Sequence, residues 1–570
     1  MPPALADLDR GFRRTYLDYD AMTAQLRAWA EAYPALCRLE SLVTTAEGRE
    51  VWIATIGRDP DRRRPAVWVD GNMHASELAG SSVALAIAED VLRLHLAPSE
   101  LPPPVVERLR DVLFYLVPRI SPDGAEAVLT SGRFVRSVPR DERVERGEPR
   151  WVAGDVDGDG RILTMRVRDP GGELVEAPSF PGLLVERTVD DVGPFYKLYP
   201  EGTIANFDGK RVPSPNFLGD NPIDLNRNFP WSWSPDHEQV GAGPFPTSEP
   251  EARAVVAFAS RHPEIFAWLN LHTFGGVVIR PLGHGPDSKM DQADLAVFRQ
   301  LEAWMTELTG YPTVSGYEEF LYEPDKPLHG DLTDYAYNQR GAMAFVVELW
   351  DLFAQLGLPR PKRFVDHYDR FSRDDAVRLA WWDRHENGGQ IFQPWTEHLH
   401  PQLGLVEIGG PDPRFGIWNP PLGALPPMCE QQSAALLRVA ALAPALRIGA
   451  VTRHELPGGL TRVEIRIENH GYLGSYGLAS AKKLSFNEPV HAAVRADGCE
   501  LVDPGSAHQV LGHLDGWGRG LFTGNNLPAH QRTRGSSNAA VATYLVRGTG
   551  ALHLRVGAVR IGFLDEVVAV

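Results

Sequence analysis

Four apolar runs, AVWVDG, DVLFYLVPRI, IFAWLNLH and AMAFVVELW, limit most strongly what this chain can fold into. Short runs rich in Val, Ile, Leu and aromatic residues, closed by glycine, proline or polar residues, read as strands buried on both faces. Between them lie segments with helical spacing, notably SELAGSSVALAIAEDVLRL, EPEARAVVAFAS and DLAVFRQLEAWMTEL. Strands alternating with helices predict an α/β class, with a mixed, largely parallel sheet sandwiched by helices. Ser76 is the expected cap of the first helix, and Ser121-Pro122-Asp123-Gly124 an expected turn. In such sheets chemistry collects beyond the strand ends, where His74, Glu77 and His272 stand.

Two later stretches break this pattern. From about residue 139 to 220 the sequence becomes charged and glycine-rich, as expected of a long insertion over the surface of a 1–445 domain. Within it Asp155, Asp157 and Asp159 alternate and Gly160 is sixth, like the start of a calcium-binding EF-hand loop. Arg166 stands twelfth, where the bidentate Glu belongs, so a bound Ca2+ and a solvated acidic turn are both open readings. Towards the C-terminus Val463, Ile465 and Ile467 alternate with Glu464, Arg466 and Glu468, and LHLRVGAVRIGF is similar. Residues 446–570 therefore read as a β-sandwich-like module for packing or recognition, of unknown partner.

With 570 residues and a formal net charge of −17, the chain can bury large cores and lacks the basic surface of a general nucleic-acid binder. Its three cysteines, Cys37, Cys429 and Cys499, are too few and too scattered for a disulfide framework or a thiolate cluster. Reduced thiols, no secretory leader and no long apolar window make a cytoplasmic protein without membrane contact the expectation.

His74 and Glu77 stand three residues apart across a strand-to-helix turn, a spacing that aims an imidazole and a carboxylate at one cation. Catalytic zinc takes a third protein ligand and keeps one position open, and His272 at the end of an apolar run is the candidate. The segments GNMHASELAG, VPRISPDGAE, DLNRNFP, GPFPTSEPEARAV, LNLHTF and DYAYNQRGAMAFVVELWD follow one another in order. Through them the chain resembles the zinc carboxypeptidase family, which includes the pancreatic carboxypeptidases.

That resemblance implies an α/β/α fold and one zinc held by His74, Glu77 and His272. It makes Glu348 the general base, a role suited to a partly desolvated carboxylate. Asn226 and Arg227 would grip the substrate's terminal carboxylate, which a guanidinium fork matches bidentately. A second arginine, Arg136 or its rival Arg133, would face the oxyanion. A loop tyrosine, Tyr322 or its rival Tyr317, would close over the substrate. Ser76 departs from the arginine that many members carry inside the His-x-x-Glu motif. The expected reaction is hydrolysis of the last peptide bond of a substrate with a free carboxylate. An amidase, deacylase or peptidoglycan-peptide hydrolase on the same scaffold, or a non-catalytic peptide-binding protein, are the alternatives. Thr333, near the expected pocket floor, offers no carboxylate to a basic side chain, and the preferred residue stays open.

Overall fold

The computed structural model describes residues 3–140, 147–216, 223–323, 326–521 and 533–570. Eight strands build the central sheet: β1 (Cys37–Thr44), β2 (Glu50–Ile56), β3 (Ala66–Gly71), β4 (Leu113–Val117), β5 (Ile265–Thr273), β6 (Val277–Arg280), β7 (Thr313–Ser315) and β8 (Met343–Leu349). Their spatial order is β1-β2-β4-β3-β5-β8-β6-β7. The four adjacent strands β4, β3, β5 and β8 are parallel, and antiparallel pairs join β2 to β4 and β6 to β8. The four apolar runs of the sequence supply this parallel centre.

Alternation along β3 shows the layering. Val67 and Val69 pack with helices Ala79–Leu96, Gln292–Thr309 and Leu425–Ala440, whereas Ala66 and Trp68 face helices Pro250–Arg261 and Leu332–Asn338. Every residue of β5 is buried, as a strand covered on both faces must be. Truncating one of its leucines would cost about 2–5 kcal/mol. Helix Ala79–Leu96 starts close against β3 because Gly71 and Gly80 face each other there. A Cβ on Gly71 would lie 2.6 Å from the Gly80 carbonyl carbon.

Two local expectations are corrected. Ser76 does not cap the helix that follows β3, which begins at Ala79. Instead the Asn419 side chain, from more than 300 residues away, accepts from the Ala79 amide at 2.9 Å and donates to the Ser76 carbonyl at 2.8 Å. The segment Pro122-Asp123-Gly124 is the first turn of helix Pro122–Ser131, with Pro122 at a position that needs no amide hydrogen.

The stretch that reads as a surface insertion contains strands. Thr164–Arg168, Leu174–Glu176, Leu184–Glu186 and Phe195–Pro200 join Phe392–His400 and Gly404–Pro411 in a six-stranded sheet. Arg150–Ala153 pairs with Gly202–Ala205. Of this stretch, 141–146 and 217–220 lie outside the described residues.

From Leu446 onward two four-stranded antiparallel sheets enclose a core that includes Val463, Ile465 and Ile467. The segment LHLRVGAVRIGF forms a hairpin, Ala551–Ala558 with Gly562–Ala569. From its turn Arg560 reaches into the α/β body and donates to the carbonyls of Ile265 at 3.1 Å and Arg340 at 2.7 Å. Among the described residues no helix is long and apolar enough to cross a membrane.

Candidate metal centre and substrate pocket

A cavity of about 300 Å3 opens beyond the C-terminal ends of the parallel strands. Its walls hold His74, Glu77, Arg136, Asn226, Arg227, His272, Tyr322 and Glu348, brought together from six stretches of sequence.

The turn after β3 carries His74 and Glu77, and the end of β5 carries His272. His74 Nδ1 lies 2.8 Å from Glu77 Oε1, His272 Nδ1 lies 2.9 Å from Glu77 Oε2, and the two Nδ1 atoms are 3.0 Å apart. The far side of each ring decides what this cluster can be. His74 Nε2 meets Asp224 Oδ1 at 3.1 Å, and His272 Nε2 meets Asn270 Oδ1 at 2.6 Å. Each Nε2 hydrogen thus has an oxygen acceptor, which leaves both Nδ1 atoms as lone-pair donors facing one point beside a carboxylate. A metal cation at that point would satisfy all three donors at once. Tetrahedral ligands of zinc stand about 3.3 Å apart, close to the spacing here. The donor set therefore fits zinc.

Charges around the cluster are balanced in pairs. Burial works to raise the Glu77 carboxyl, yet His74 and His272 hold it well below the usual carboxylate range. Burial lowers and Glu77 raises the His272 imidazole, with a net rise. Asp224 is likewise held far down against its burial by Arg136, His74 and Arg227.

Asp224 also fixes Arg136, accepting from its Nε and Nη2 at 3.0 Å each. The Arg136 carbonyl in turn accepts from the Ala75 amide at 2.8 Å, tying this segment to the metal turn. Gly124 permits that approach, since a Cβ there would sit 2.2 Å from the Ser137 carbonyl oxygen. Arg133, the rival, points to the Pro139 carbonyl and does not line the cavity.

Glu348 is in register with His272 on the neighbouring parallel strand. Among the described residues no group donates a hydrogen bond to its carboxylate. Burial pushes this carboxyl up to about 8; Glu77 adds to the rise, while His272 and Arg136 oppose it. A bound dication adds a strong downward pull.

Asn226 accepts from the Leu332 amide at 2.9 Å, and the Arg227 guanidinium folds over the Asn226 carbonyl at 2.7 Å. Gly330, in a left-handed conformation at φ +69°, lets the next loop cross this turn, because a Cβ would meet the Arg227 carbonyl oxygen at 2.3 Å. Tyr322 sits on the rim, 46% exposed, beside Tyr368; its rival Tyr317 is not in the lining. Thr333 does line the cavity, with its hydroxyl turned to Asp331 at 2.6 Å. Tyr337, by contrast, packs on Phe298 and donates to Asp294.

A family model described as zinc carboxypeptidase matches residues 22–157 and 209–368, a little over half of the chain. The chain belongs to the zinc carboxypeptidase family. The part of the carboxypeptidase model's span left unmatched, 158–208, falls in the strand-bearing insertion. Residues 445–569 match a separate domain of unknown function.

Carboxypeptidase relatives include carboxypeptidase B of Astacus astacus, 29% identical over 122 residues, which cover 21% of this chain and 38% of that protein. Carboxypeptidase A4 of Mus musculus is 21% identical over 342 residues, 59% of this chain and 63% of that one. This carboxypeptidase-family chain thus spans less than two thirds of either relative. Among solved structures, thrombin activatable fibrinolysis inhibitor has a TM-score of 0.43 at 14% identity, covering 76% of this chain and 75% of its own.

The aspartate loop does not assemble as the sequence suggests. Asp155 and Asp157 approach the buried Glu201, not Asp159. Asp155 accepts from the Gly158 and Gly160 amides, Asp159 accepts from its own loop at Arg161, and both Glu201 oxygens accept backbone amides. Arg166, the twelfth position, lies in a strand paired with Glu407 and Glu176. The loop is ordered by its own backbone, and calcium finds no support in it.

Sequence reasoning missed Asp224, Asn270, Tyr368 and Asp331. Asp224 stands inside DLNRNFP and Asn270 inside LNLHTF, so both were within reach of the motif reading. Asp331 lies at the cavity wall, its carboxyl pushed up to about 6 by burial and by neighbouring Asp334.

Proposed function

We propose that the chain is a zinc metallocarboxypeptidase that releases the C-terminal residue of peptides bearing a free carboxylate. The observation that carries this reading is the convergence of His74, Glu77 and His272 beside an unpartnered Glu348 and the Asn226-Arg227 pair in one cavity. When bound, zinc supplies a Lewis acid to the scissile carbonyl and acidifies the attacking water, to a pKa of about 7.

The chain's own residues do the rest. Arg227, with Asn226, binds the terminal carboxylate and so fixes which peptide bond reaches the centre. Arg136, immobilised by Asp224, donates to the oxygen on which charge develops. Glu348 removes a proton from the attacking water and returns it to the leaving amine. Tyr322 on the rim closes over the bound residue.

Matched peptides with free and amidated C-termini test the reading, with products identified by mass. Release of a single residue from the free-acid peptide only is the expected outcome. Preferential cleavage of the blocked peptides would favour the amidase or deacylase alternative, and zinc-loaded protein that binds but turns over neither would favour a peptide-binding role.

A further inference from the structure

Seven arginines crowd a cleft of about 320 Å3 at the junction between the α/β body and the C-terminal module, at the opposite end of the sheet from the metal triad. Arg58, Arg62, Arg63 and Arg64 come from the loop between β2 and β3, Arg108 and Arg110 from helix Pro103–Arg110, and Arg447 from strand Leu446–Leu456. In a chain with a net charge of −17, this is a strong local concentration of positive charge.

Carboxylates neutralise only part of it. Asp59 and Asp111 line the cleft, and Asp111 is held by Arg447 at 3.1 Å. Glu107, outside the lining, lies 2.9 Å from Arg110 and 3.8 Å from Arg58. Asp61 is taken by Arg38. Arg62 and Arg63 are exposed and make no side-chain hydrogen bond or ion pair among the described residues. Arg64 is buried; its terminal nitrogens meet the carbonyls of Arg58, Asp59 and Arg62, and its Nε has no partner. The field reaches His95, whose imidazole burial and the Arg58, Arg110 and Arg64 charges push down to about 4. Like charges gathered beside low-dielectric walls repel strongly, and an anion among them removes that cost.

The remaining wall is apolar: Val112, Leu446, Ile561, Phe563 and Leu564. We infer that this cleft binds a phosphate group, free or as a monoester of an apolar body, with Arg62 and Arg63 as its principal donors. A tetrahedral dianion can engage several guanidinium forks at once, which a lone carboxylate cannot. Because the cleft joins both parts of the chain, occupancy also strengthens their docking. The inference is independent of the peptidase reading.

Calorimetry at low salt with inorganic phosphate and with phenyl phosphate tests it on the full-length, zinc-loaded chain. One saturable site per chain is expected, with a rise in Tm, and at least tenfold weaker binding in the Arg62→Ala/Arg63→Ala variant. Both replaced side chains are exposed, and an unchanged Tm without phosphate together with unchanged zinc content in that variant would confirm that the fold and the metal pocket are intact. Tighter binding of phenyl phosphate would identify a monoester as the ligand, and equal binding free phosphate. Absence of saturable binding to the wild-type chain, or equal affinity in the variant, would overturn the inference.

Discussion

The two ends of the parallel sheet handle buried charge in opposite ways. At the C-terminal ends, cations and anions interlock: Arg136 with Asp224, Asp224 with His74, and both histidines with Glu77. At the N-terminal ends, Arg64 and Arg560 are buried mainly against carbonyl oxygens. Burial, aided by Arg62 and Arg340 respectively, pushes these guanidiniums down, to about 10 and about 9. The first arrangement aims lone pairs and charges at a reacting centre; the second serves docking of the C-terminal module and leaves positive potential uncompensated. A strand of six residues puts about 20 Å between the ends, so changes at one should leave the other's function intact.

The largest expected effect comes from Glu348→Gln, which should lower kcat about 10²–10⁴-fold while zinc content is unchanged. Stopped assays with metal analysis on the same sample check this; normal turnover would remove Glu348 from the base role. Next, Arg227→Met should reduce kcat/KM for free-acid peptides by about 10–100-fold, the value of charge-assisted hydrogen bonds, with little change on amidated ones. A loss shared equally by both peptides would show that Arg227 does not read the carboxylate.

Asn270→Ala frees the His272 ring to turn and should weaken zinc affinity about 10–100-fold, measured by competition with a chromogenic chelator. At the other end, Arg560→Leu should cost about 2 kcal/mol of stability, seen as a lower Tm, with kcat/KM of the zinc-loaded chain unaltered. A matching fall in kcat/KM would mean that the two ends are coupled.

The smallest effect concerns His284, whose pKa is raised mainly by its hydrogen bond to Asp334. A raised histidine stabilises the fold fully below its unfolded value of about 6.5 and loses that contribution as pH rises through the folded value. The Tm advantage of wild type over His284→Gln should therefore shrink between pH 6 and pH 9. An advantage that grows with pH would reverse the assignment.

What the sequence could reveal follows the same division. His272 and Glu348 were legible because each closes a run of apolar residues that forms a buried strand, and His74 and Glu77 because they share one turn. The orienting partners were harder to see. Nothing local marks Asn419 as the cap for a helix beginning at Ala79, because the pairing exists only after the chain folds back. Ser76 shows the converse: a good capping residue left unused once that longer-range partner is present. Strands such as Thr164–Arg168 were hidden because their faces mix charged residues, like Arg166, with apolar ones. The arginine cleft needs three remote segments and the docked C-terminal module, so no window of sequence contains it.

One metal ion at His74, Glu77 and His272 is the centre on which the proposed chemistry depends, and metal analysis of wild type and His272→Ala, paired with a chelation assay, tests it most directly. One zinc per wild-type chain, loss of zinc in the variant, and peptide hydrolysis abolished by chelation and restored by added zinc are the predicted results. Hydrolysis that survives complete removal of metal, or a His272→Ala chain that keeps its zinc and its activity, would contradict it.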